Sequence, residues 1–239
     1  MWPEPERPVV SDANAAWARA SRGPEPAGAR KPPMSWTMWL PQMLSVRARI
    51  AVAVAGLLLI VTLFFPLWNI TMYAGQFPEG IRMAIHAHKL VGGNGGADLQ
   101  GINILNHYIG MREINATELP EMKFIPFTLG VFLLLGLRAA VFARVSNVVD
   151  LAVLFTYFGL FSLGTFVFRM YSFGHNLDPE AAIKVSPFTP PVFGHQHIAN
   201  FDVYSYPGPA TYLLGLYALI LVSILVLERQ RSLRGKVAA

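Results

Sequence analysis

Cysteine is absent from the 239 residues, and charge is scarce: 14% of positions are Asp, Glu, Lys or Arg, where soluble chains carry about 25%. The first absence excludes disulfides, thiolate-bound zinc or iron–sulfur centres, haem attachment through CxxCH and a thiol nucleophile. The second, beside 54% hydrophobic residues, removes much of the polar surface that a soluble domain needs. Lys and Arg outnumber Asp and Glu by 19 to 14. They form no basic tract suited to a nucleic-acid groove, so no nucleic-acid partner is expected.

What the chain has instead is a set of long apolar runs. A bilayer core about 30 Å thick needs roughly 20 apolar residues of helix. Four runs approach that length, at about residues 50–68, 124–143, 148–168 and 210–227. The expected fold is an α-helical integral membrane protein, with four transmembrane helices and two large extracytoplasmic loops, 69–123 and 169–209, forming a small cap. Residues 1–33 hold seven of the 18 prolines, a composition that cannot bury a core. Residues 1–46 therefore read as a disordered cytoplasmic tail and an interfacial segment, the latter marked by Trp36 and Trp39. Residues 47–239 read as the four-span membrane domain. No apolar run precedes residue 50, so no cleaved secretory signal is expected.

Orientation follows from the basic residues. Arg47, Arg49, Arg138, Arg144, Arg229, Arg231, Arg234 and Lys236 flank the runs on one side. The two intervening segments carry six basic and eight acidic residues. This sorting predicts cytoplasmic termini. The centres of the runs lack ionisable groups, which argues against an ion pump. Gly130, Gly136, Gly159 and Gly164 are expected to permit close helix packing.

All six histidines lie in the two intervening segments: His86, His88 and His107 in the first, His175, His195 and His197 in the second. Two pairs share the spacing His-x-His. On a strand, residues i and i+2 face the same way, which lets two imidazoles converge on one ion. The alternation of Ile81, Met83, Ile85 and Ala87 predicts a half-buried strand with His86 and His88 on its opposite face. Imidazole with thioether and no thiolate suits copper first, then zinc, and His86, His88, His107, His195 and His197 are the candidate ligands. The alternative is that they are ordinary loop or interfacial residues and bind no metal. In a third reading, a membrane enzyme or transporter with the histidines as general bases, Asp98, Asp178 and Asp202 are the acids that would orient them. The glycines of HKLVGGNGGADLQ lack the GK[ST] ending of a phosphate loop; they read as a turn bringing His88 towards Asp98, Asn103, Asn106 and His107, before a short helix near Asp98. Phe, Tyr and Pro crowd the second segment, which suits the headgroup zone or a protein partner.

The runs DLQGINILNHYIGM (98–111), YAGQFPEGI (73–81) and HKLVGGN (88–94) resemble those of a group of small multi-span bacterial membrane proteins encoded with nitrous oxide reductase accessory genes. The resemblance implies a bacterial inner (cytoplasmic) membrane location and a supporting role in copper delivery or assembly of a respiratory metalloenzyme. It supplies no catalytic residues, and no nucleophile motif supports hydrolysis, so an enzyme is not the favoured reading. The expected function is thus a membrane accessory protein with an extracytoplasmic histidine-rich surface and a membrane or periplasmic protein partner. The alternative is a structural subunit of a larger membrane complex without metal or catalysis of its own.

Overall fold

The computed structural model describes residues 39–115, 119–198 and 200–237, with side chains as far as Arg234. The proline-rich tail and Trp36 lie outside the described residues. The order of elements is α1 (Val46–Thr62), β1 (Trp68–Ala74), β2 (Phe77–Ile85), β3 (Leu90–Gly92), α2 (Ala97–Tyr108), α3 (Glu121–Phe142), α4 (Val145–His175), β4 (Gly194–Ile198), β5 (Phe201–Pro207) and α5 (Pro209–Val237).

Two parts of the expected architecture are overturned. Among the described residues three helices, not four, are long and apolar enough to cross a membrane: α3, α4 and the 209–234 stretch of α5. The run at 50–68 does not remain helical to its end. Pro66 lacks an N–H and disfavours helix at the residue before it, and Trp68 opens a strand. What remains, α1, has 17 residues, two of them Arg47 and Arg49. At about 1.5 Å per residue it rises only about 26 Å, short of the roughly 30 Å core.

The second correction concerns the loops, because the protein is not all-helical. The segments expected as two loops together build one five-stranded antiparallel sheet, ordered β3-β2-β1-β5-β4. The seam is the β1–β5 pairing, in register from Trp68↔Pro207 to Tyr73↔Asp202. Period-two alternation turns Ile70, Met72, Ile81, Met83 and Val203 to one face, where they meet Leu99, Ile102 and Leu105 of α2 and Met170 of α4 in a single apolar cluster. Trp68 fastens this face. Its ring lies 5.0 Å from that of Phe166, and its Nε1 donates to Ser205 Oγ at 2.8 Å. The hydroxyl of Ser205 in turn donates to the Val192 carbonyl at 3.1 Å.

The helices form the other core. Val52, Ala55 and Leu59 of α1 pack with Leu129 and Phe132 of α3, Leu151 and Phe155 of α4, and Tyr217 and Leu221 of α5. Of the glycines expected to allow close packing, only Gly136 has close neighbours: a Cβ there would stand 3.9 Å from Leu151 Cδ2 and 4.0 Å from Val52 O. Gly130, Gly159 and Gly164 face open space, since they fall on helix faces turned away from the bundle. Residues 40–44 are laced onto the α3–α4 turn by Leu44 N–H to Ala143 O at 2.6 Å and Val145 N–H to Gln42 O at 3.1 Å. Buried Glu228 of α5 accepts from the Ser45 N–H at 3.1 Å and from its hydroxyl, closing the start of α1.

Candidate functional site

The β4–β5 hairpin carries the densest polar cluster around the histidines. Antiparallel register sets His195 opposite Tyr204 and His197 opposite Asp202. Directly opposed side chains on one face interact, and the diagonal brings His195 to Asp202 as well. Both imidazoles engage the same carboxylate oxygen: His195 Nε2 lies 2.9 Å and His197 Nδ1 3.0 Å from Asp202 Oδ1. The His195 ring stacks on Tyr204 with centroids 4.4 Å apart, which fixes its plane. Hydrogen bonds from His195 and then His197 hold the Asp202 carboxyl below its ordinary value. The cluster is open to solvent, with side-chain exposures of 44%, 63% and 46% for His195, His197 and Asp202. Its strand β4 is an edge of the sheet.

Exposed aromatics continue the same face. Tyr73 meets Tyr204 edge-on at 5.7 Å, and Phe193 meets Tyr206 likewise at 5.6 Å. Tyr73, Phe193 and Tyr206 are all exposed. Their placement follows from odd–even alternation, which sends Val203 and Ser205 inward and Tyr204 and Tyr206 outward.

The other histidines are placed differently from expectation. His86 and His88 do not stand on a strand, because β2 ends at Ile85 and the chain turns, with the His86 N–H donating to Lys89 O at 2.9 Å. Their rings stand 6.2 Å apart. His86 Nδ1 is buried with no hydrogen-bond partner among the described residues. Burial, then the charge of Lys89 and the neighbouring His88, lowers the His86 pKa below its ordinary value. Three strand spacings separate β2 from β4, about 14 Å. The turn that carries His86 and His88 follows β2, so the two His-x-His pairs are separate sites.

His107 is an exposed residue of α2 beside Tyr108. His175 bonds the Tyr171 carbonyl through Nδ1 at 3.0 Å and stacks on that ring. The glycine turn before α2 serves Asp98 rather than His88. Asp98 takes the Arg82 N–H and the Asn94 amide, while Asn103 is engaged with Ile114. Of the three acids named from sequence, Asp202 alone bonds histidine. Asp178 bonds the Glu180 N–H.

Among the described residues no three His, Asp or Glu side chains are arranged to hold a metal ion. What the hairpin does provide is two imidazoles bonded to one carboxylate, on an accessible edge. No family model, curated protein or solved structure matches the chain.

Proposed function

We propose that this chain is a membrane accessory protein that takes up a metal ion, copper first, at the His195–His197–Asp202 corner and presents it to an extracytoplasmic respiratory metalloenzyme. The observation that carries the reading is the convergence of both imidazoles on one carboxylate oxygen, at 2.9 and 3.0 Å. Donors around a four-coordinate ion with bonds near 2.0 Å stand about 3.3 Å apart, wider than the 2.9 and 3.0 Å found here, so both rings and the carboxylate turn and part to admit an ion. Nitrogen and carboxylate donors without thiolate suit Cu(II). The exposed Tyr73, Phe193 and Tyr206 beside it are the residue types that anchor protein partners. The basic residues Arg138, Arg144, Arg229, Arg231 and Arg234 put the α3–α4 turn and the end of α5 on the cytoplasmic side and the sheet on the other, in a bacterial inner membrane. The resemblance in residues 73–111 supports the same pathway.

The test is metal analysis of gently purified full-length protein, stripped with chelator and reloaded with Cu(II). The expected result is one ion per chain, lost in His195→Ala/His197→Ala and kept in His86→Ala/His88→Ala. Equal copper in wild type and the first double variant refutes the metal site. The exposed aromatic face favours a second reading, a structural subunit that docks through the sheet. It predicts a partner co-purifying in fixed ratio, retained in both double variants and lost in Tyr73→Ala/Tyr206→Ala.

A further inference from the structure

A cavity of about 90 Å³ lies between the inward face of the sheet, α2 and the end of α4. Its walls are almost wholly apolar and include four of the nine methionines: Met72, Met83, Met111 and Met170. The polar exception is Asn106 of α2, which is 5% exposed and whose Nδ2 has no hydrogen-bond partner among the described residues. We infer that this cavity binds a lipophilic carbonyl compound, whose oxygen accepts from Asn106 Nδ2 and whose hydrocarbon part fills the methionine-lined space.

Three observations converge on that chemistry. A buried donor left unpaired is costly, so a group holding one is best satisfied by something that enters. Water is a poor occupant, because an ordered water needs two to four polar partners and this lining offers few. An apolar molecule with one acceptor matches both the walls and the single donor. Methionine side chains are unbranched and adaptable, so the space can widen around a ligand larger than itself. Met170 and Phe173, in the last turns of α4, form part of the wall, and α4 is one of the helices long enough to cross a membrane. The inference is independent of the metal proposed at the hairpin, whose residues do not line this cavity.

The test uses full-length protein in detergent with 13C-labelled methionine methyl groups, titrated with cyclopentanone and with methylcyclopentane, a molecule of similar shape without an acceptor. Both probes are expected to shift the methyl signals of Met72, Met83, Met111 and Met170 and to leave that of Met43 in place. The ketone is expected to bind about tenfold more tightly, the size of one net hydrogen bond. Asn106→Leu should bring the ketone below the affinity of the hydrocarbon, because its carbonyl is then buried without a donor. Equal affinity of the two probes for wild type overturns the inference, as does the absence of shifts at the four methyls, which marks a cavity holding only water or nothing. The comparison of probes in wild type decides the matter even where the Asn106 variant fails to fold.

Discussion

Removing the carboxylate of Asp98 should loosen the sheet from α2. The side chain is 5% exposed. Its Oδ2 receives the Arg82 N–H at 2.9 Å and its Oδ1 the Asn94 amide at 2.8 Å. Strand β3 ends at Gly92, so the carboxylate takes the place of the missing ladder partner for Arg82 at the edge of β2. Gly93 packs against it so closely that a Cβ there would stand 2.3 Å from Oδ2. Hydrogen bonds to a charged group contribute about 1.5–3 kcal/mol each, and a carboxylate in the first turn of a helix adds about 0.3–1 kcal/mol. Asp98→Ala should therefore cost about 4 kcal/mol. Asp98→Asn keeps one acceptor but turns an amide towards a second donor, and should cost about half as much. For a chain of this size about 4 kcal/mol lowers Tm by roughly 8–16 °C. The assay is thermal unfolding in mild detergent followed by near-UV circular dichroism, with amide exchange read at Arg82. A Tm within about 2 °C of wild type, with the Arg82 amide still protected, refutes the reasoning.

Other outcomes follow from close backbone approaches and from charge. Gly174→Ala and Gly208→Ala would place a Cβ 1.9 Å from Phe188 O and 2.2 Å from Pro66 O; both should lower the yield of folded protein sharply, while Gly164→Ala, facing open space, should not. Normal yield and Tm in the first two would contradict the close approach. Glu228→Ala leaves the Ser45 N–H at the start of α1 without its acceptor and should cost about 2 kcal/mol, seen as faster proteolysis around residues 39–45; unchanged cleavage would count against the cap. The His86 pKa is lowered, so the unfolded chain takes up this proton at higher pH than the folded one. Its contribution to stability is complete above about pH 6.5, the unfolded value, and is lost as pH falls through the folded pKa. Imidazole titration by NMR should give a His86 midpoint below 6.5, and a midpoint at or above that value sinks the burial argument.

Apolar length and alternation determined much of this protein locally. The runs at 124–143, 148–168 and 210–227 are helices somewhat longer than their apolar cores, and Ile81 and Met83 mark a true strand. The short helix expected near Asp98 forms over Ala97–Tyr108. The end of α1 was also written locally, in Pro66, but the unbroken apolar run through Trp68 obscured it. Only the tertiary structure joined β1 to β5, far apart in the chain, because a two-residue period states which face is buried and nothing about which strand lies alongside. The candidate site depends on the same kind of information. His86-Ala87-His88 and His195-Gln196-His197 share one spacing, yet the first falls in a turn, and the second stands on an edge strand whose register sets Asp202 beside both rings. Neighbour pairing is a property of the folded sheet, and that pairing, rather than the spacing, separates two imidazoles bonded to one carboxylate from two imidazoles in a turn.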